Sequence, residues 1–189
     1  MKKVNLQMMK LLKRQIKYWM IEFDYKLDYK KLNFRKPDIR KLYRIGRGEQ
    51  GVLLVRPYTN IICRYWRFKT PEVARKSATT IYYMYRGFRS LKDFVGMDMC
   101  RKFLEMGFTR ARRYANHRDG KKYDKNGNIK PQEKDALICD KAVSATIFKM
   151  YRDKVTKDET YIKMRKNWRE LESANSNIQK QTYNDIQFS

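Results

Sequence analysis

The sequence holds one histidine, His117, in 189 residues. That excludes histidine pairs and any two-histidine metal site, and leaves His117 as at most a single acid or base. Cysteine is almost as scarce. Cys63, Cys100 and Cys139 are odd in number and widely spaced, and none forms a Cys-x-x-Cys pair. Neither a zinc knuckle nor a disulfide framework is indicated, and reduced thiols in a cytoplasmic protein are the natural reading. No uninterrupted apolar run approaches the length of a bilayer span. Lys10, Lys13, Arg14 and Lys17 also interrupt what would be the apolar region of a signal peptide. The last shortage is of acid: 20 Asp and Glu stand against 45 Lys and Arg, a formal charge of +25.

What is present is enough for a core. Hydrophobic residues make up 42% and aromatics 14%, which argues against wholesale disorder and for a single domain with tails. Net charge speaks to partners rather than to fold. A basic excess with Tyr, Phe and Trp interleaved favours nucleic acid first and an anionic membrane surface second, with a membrane partner not expected, and the plainer reading is a solvated Lys and Arg coat. The expected fold is mainly α with a small β component, a helical domain with a short strand or hairpin near residues 43–68. Three regions follow from the pattern: a basic amphipathic helix over 1–22, a globular domain over 23–171, and a polar, flexible tail over 172–189.

At the N-terminus Met9, Leu12, Ile16, Trp19 and Phe23 form a stripe beside the basic face of Lys10, Lys13, Arg14 and Lys17. Such a helix docks on a core, a membrane or a phosphate backbone. Phe23–Tyr29 alternates and suits a short extended segment. Gly46, Gly48 and Gly51 fall within six residues and allow positive φ or a close approach to a ligand. They precede a candidate buried strand, Val52–Val55, and meet neither the P-loop nor the dinucleotide signature. A structural turn is therefore favoured, with Arg44, Arg47 and Glu49 as contributors to any nearby site. Tyr65, Trp66 and Phe68 alternate with Arg64, Arg67 and Lys69, a pattern that serves either as a stacking platform for bases or as core.

Thr70-Pro71-Glu72 opens a helix that should run to Arg86, with Gly87 at its end. Ser90 to Asp93 resembles a capping box for a second helix, with Leu91, Phe94 or Val95, Met99, Phe103 and Met106 as its stripe and Gly107 as its stop. Residues 140–153 read as a third helix. Thr156 to Glu159 is a capping box for a fourth, with Tyr161, Met164, Trp168 and Leu171 at heptad spacing. Between them, 117–135 is a polar loop in which Asn126-Gly127 marks a turn.

The best functional lead is Gly107–Tyr123. It gathers Arg110, Arg112, Arg113, Arg118, Lys121 and Lys122 against one acid, Asp119. If Thr109 opens a helix, Arg110, Arg113 and His117 share a face at i, i+3 and i+7. Stacked cations repel one another unless an anion sits among them, so the stretch specifies a phosphate or polyanion as its kind of partner.

Several stretches, among them Gly46-Arg-Gly-Glu-Gln-Gly-Val-Leu-Leu-Val55, Trp66-Arg-Phe-Lys-Thr-Pro-Glu72 and Asp93-Phe-Val-Gly-Met-Asp-Met-Cys-Arg-Lys-Phe-Leu104, together with Gly107–His117, resemble an uncharacterised family. Its members are small cytoplasmic proteins of bacteria and large tailed bacteriophages. The resemblance covers roughly residues 23–171 and implies a single cytoplasmic domain, with no reaction, cofactor or metal attached. The leading expectation is a non-catalytic nucleic-acid-binding protein, for DNA or RNA, acting through backbone phosphates. Arg110, Arg112, Arg113, His117, Arg118, Lys121 and Lys122 would lie at its centre, and Arg44, Arg47, Arg64 and Arg67 would extend the footprint. One alternative is a metal-dependent enzyme on a phosphorylated substrate, using Glu49, Asp98 or Glu105. Another is a small effector that clamps an acidic host protein.

Overall fold

The computed structural model describes residues 23 and 25–187; the helix expected over 1–22 lies outside the described residues. Six helices carry the architecture: α1 (Pro37–Arg40), α2 (Tyr58–Ile62), α3 (Pro71–Ser90), α4 (Phe94–Asn116), α5 (Asp140–Thr156) and α6 (Glu159–Gln187). Helix α4 is the axis. Nearly every residue from Phe94 to Gly107 is buried, because α3 and α5 pack on it and on each other. The irregular segment 23–69 and α6 close the remaining sides. Their rings form a continuous series of contacts, Phe23–Tyr29, Tyr29–Phe34, Phe34–Tyr43, Tyr43–Phe94 and Phe94–Tyr161, with centroids 5.1–6.5 Å apart.

The expected β component is absent: no strand occurs among the described residues. Val52–Val55 forms turns instead. The Val52 amide donates to Glu49 O and the Leu54 amide to Gly51 O, and the Val55 carbonyl accepts from Thr59 at the start of α2. A lone strand has no ladder to join, so local bonds satisfy the backbone. Gly51 shows why the glycines are needed there. Its φ is +75°, and a Cβ would overlap the Phe23 ring. Residues 25–29 likewise fold into turns rather than extending, and the Phe23 and Tyr29 rings lie in stacking distance. Among the described residues the one sheet-like feature is an isolated antiparallel bridge between Tyr123 and Ile129, which closes the Asn126-Gly127 turn.

The helix boundaries differ from the sequence pattern in instructive ways. Thr70 does cap α3, accepting from the Val73 amide. The helix continues past Gly87 to Ser90, and the residue that ends it is Lys92, in the left-handed region at φ 52°. Asp93, not Ser90, caps α4 through its bond from the Gly96 amide and also accepts from the Tyr58 hydroxyl at 2.6 Å. Asp93→Ala removes a cap and strands a buried hydroxyl, so a loss of about 1–3 kcal/mol is expected in thermal unfolding. Ser90→Ala should stay within about 0.5 kcal/mol. Equal effects would mean that the cap is misplaced.

Gly107 does not stop α4. The glycine is there for space, since a Cβ would overlap the Phe148 ring of α5. Asp158, rather than Thr156, opens α6 by accepting from the Tyr161 amide. That helix runs to Gln187, so the polar stretch read as a tail from residue 172 begins inside it. Leu171, counted in the apolar stripe, is 57% exposed.

Candidate functional site

The continuation of α4 through Gly107 reorganises the basic stretch. Thr109 lies inside the helix, where its hydroxyl, 3.2 Å from Met106 O, donates to Glu49 Oε2 at 2.8 Å, docking the glycine loop. Arg110 and Arg113 stand exposed a turn apart. His117 leaves their face. It caps the helix with extended backbone (φ −145°, ψ 110°) and tucks inward to 6% exposure. The single-face stack of Arg110, Arg113 and His117 therefore does not form.

Two arginines serve the scaffold. Arg112 donates to Ala136 O at 2.7 Å. Arg118 pairs with Glu133 and Asp135 at 3.4 and 3.5 Å. Together with the Asp119–Lys130 pair at 2.6 Å, they hold the polar loop against the end of α4. Lys121 is exposed, and Lys122 lies over the Tyr123 ring at 5.4 Å. Between helix and loop is a cavity of 370 Å³. Phe108, Thr109, Arg112, Arg113, Asn116 and His117 line it from one side, and Lys122, Ile129 and Gln132 from the other.

A second cavity, 580 Å³, lies where the 63–69 segment meets α4 and α5. Trp66, Phe68 and Tyr114 form its apolar wall and Arg67, Lys69 and Lys141 its polar edge, with Cys63 at the side. Trp66 and Phe68 are 5.0 Å apart and Phe68 and Tyr114 5.9 Å. The Trp66 indole donates to Phe103 O on α4, and Lys141 bonds to Phe68 O and Lys69 O at 2.9 and 2.8 Å. Two basic and aromatic stretches about forty residues apart in sequence thus meet through one ring contact. Arg64 is exposed just before this wall, and the Arg67 guanidinium is held by Cys63 O and Trp66 O.

Arg44 is not brought to either cavity, because its guanidinium donates to Glu172 O on α6. Arg47 is exposed, and its amide bonds to Gln50 Oε1. The glycine loop borders the smaller cavity only through the Glu49–Thr109 bond.

The carboxylates considered for a metal are engaged elsewhere. Glu105 pairs with Arg152 at 2.9 Å. Asp98, fully buried, accepts from the hydroxyls of Tyr43 and Tyr161 and from Arg101 Nε at 2.7 Å. Arg165 approaches to 3.6 Å and Lys102 to 3.8 Å. Burial alone would raise the Asp98 carboxyl. Arg101 first, then Lys102, outweigh it and hold the group well below the usual carboxylate range. Lys102 is 0% exposed. Its Nζ has no hydrogen-bond partner and lies over the Phe23 and Tyr43 rings at 5.2 and 4.9 Å. Burial pushes its ammonium down to about 7, and Asp98 offsets this only in part.

Sequence reasoning missed Lys102, Lys141, Asn116 and Gln132. The first carried a signal: a lysine three residues after Met99 and four before Met106, on the apolar stripe. The others belong to their cavities only through tertiary packing. No curated protein and no solved structure matches the chain. A family model does match, over residues 24–171; the chain belongs to DUF4385, described as a domain of unknown function.

Proposed function

We propose that the protein binds single-stranded nucleic acid, DNA or RNA, without transforming it. The observation that carries this reading is the aromatic wall of Trp66, Phe68 and Tyr114 edged by Arg67, Lys69 and Lys141, in a chain of charge +25. Every base has a stackable face, so such a wall accepts bases with little sequence preference, while the cations follow the backbone. Arg64, Arg110 and Arg113 extend the track on either side, and their exposure leaves them available to phosphates. Arg112 and Arg118 act indirectly, by holding the loop. The setting we propose is the cytoplasm, that of the host if the chain is bacteriophage-encoded.

Titration of fluorescent single-stranded and duplex oligonucleotides at low and moderate salt tests the reading. Single strands should bind more tightly than duplex, and affinity should fall steeply, by about 10³-fold or more between 50 and 200 mM salt if six or more phosphates are contacted. Tyr114→Ala should weaken single-strand binding by about tenfold, in line with roughly 1–3 kcal/mol per stacked base. Arg67→Glu and Arg110→Glu should weaken both forms, and Lys163→Glu on α6 should weaken neither. No binding at low salt, or binding indifferent to salt, removes the proposal. A protein partner recovered from a nuclease-treated lysate in place of nucleic acid would favour an acidic surface instead.

A further inference from the structure

The smaller cavity has features that strand binding does not need. One polar atom on its helical side, Asn116 Oδ1, is buried without a hydrogen-bond partner. A buried polar group left unpaired is costly, so a fold rarely keeps one without something to meet it. Asn116 lines the 370 Å³ space beside His117, a volume within the range of small-molecule sites, about 300–1,000 Å³.

The charges around it are also unbalanced. Arg118, Lys130 and Arg152 nearby are all paired with carboxylates. Arg113 and Lys122, on opposite sides of the cavity, form no ion pair among the described residues. An anion is therefore favoured. A phosphate ester group alone does not complete the site, because with a second pKa of about 6 its oxygens at neutral pH mostly accept hydrogen bonds, as Asn116 Oδ1 does. The occupant must carry an N–H or O–H donor as well as a negative group. Gln132 adds a second amide, and Phe108 and Ile129 supply apolar wall for a planar body. We propose that this cavity binds a nucleoside monophosphate group, the phosphate answering Arg113 and Lys122 and an amine on the base edge answering Asn116. That group is found both in free nucleotides and at the phosphorylated end of a strand. The proposal goes beyond the strand-binding reading and stands or falls separately from it.

Isothermal titration of the full chain with AMP, CMP, GMP and UMP, and with adenosine and inorganic phosphate alone, provides the test. At least one monophosphate whose base carries an exocyclic amine should bind. Its affinity should exceed that of the nucleoside and of phosphate by tenfold or more. Arg113→Ala and Lys122→Ala alter exposed side chains and should each reduce that affinity about tenfold, while Lys163→Ala leaves it unchanged. If 5′-phosphorylation strengthens oligonucleotide binding and Lys122→Ala abolishes the gain, the source is a strand end; if only free nucleotides respond, it is a soluble nucleotide. Either result supports the site. Three results overturn it: no nucleotide binds, phosphate binds as tightly as any nucleotide, or both alanine variants bind normally. Oligonucleotide binding that survives such a failure leaves the aromatic wall's role intact.

Discussion

Replacing Asp98 with alanine is expected to destabilise the fold by about 3–5 kcal/mol, because it strands the buried charge of Arg101 and the hydroxyls of Tyr43 and Tyr161. Lys102→Met should cost less than about 1 kcal/mol or stabilise, since methionine fills a similar volume and brings no unpaired donor. The two substitutions are adjacent in space, with 3.8 Å between the charged atoms, so a shared local defect would affect both alike. Urea unfolding at neutral pH separates them. Equal losses would show that Lys102 is as integral to the cluster as Asp98.

Acidity provides an independent check on Lys102. Its folded-state value of about 7 lies below the 10.5 of a free lysine. Between those values the unfolded chain holds a proton that the native state lacks, so stability rises with pH across that window. Below about 7 both states are protonated and the full penalty applies. The advantage of Lys102→Met over the parent should thus be greatest below pH 7 and shrink by roughly 2 kcal/mol between pH 7 and pH 9. Comparing the two proteins cancels the other titrating groups. A pH-independent difference would mean that the ammonium stays charged in place. Asp98 acts at the other end: its depressed carboxyl contributes stability that is present above the ordinary carboxylate range and is lost on strong acidification.

The second large effect concerns two glycines that lie in helices and should answer alanine with opposite signs. Gly107→Ala brings a methyl into the Phe148 ring, which is fully buried and cannot withdraw. Overpacking of this kind costs about 1–3 kcal/mol, enough to outweigh a helix-propensity gain of about 1 kcal/mol. At Gly87 a Cβ would meet nothing within 4 Å, so alanine there should gain up to about 1 kcal/mol. Thermal melts of the two variants suffice. A stabilised Gly107→Ala would show that α4 and α5 pack less closely than this.

The helices were legible because their stripes are periodic. Ala74, Ala78, Ile81 and Tyr85 on α3, and Met99, Phe103 and Met106 on α4, are buried as the spacing requires. Their ends were less legible, because glycine has two uses that look alike in a sequence. Gly107 read as a stop, yet it admits a neighbouring ring, while the actual terminator after α3 is a lysine. The valines at 52 and 55 carried strand propensity but had no partner strand, and local turns took them. At the candidate site, clustered cations were visible and their division of labour was not. Nothing local distinguishes Arg112 and Arg118, tied to Ala136 O, Glu133 and Asp135, from Arg113, which is left open. The same holds for the meeting of Phe68 with Tyr114, a long-range contact that no pattern within either stretch encodes.

The indole of Trp66 hangs the aromatic wall from the backbone of α4, and Tyr114 and Lys141 bring α4 and α5 into the same wall. The wall is therefore assembled from the elements whose separation is unfolding, and it vanishes with them. Any occupant binds the native molecule alone and must raise the melting temperature. At a hundred times its dissociation constant the gain is about 2.7 kcal/mol. A ligand for this protein is thus findable by heat alone, from a panel of candidates and with no assay for what it does.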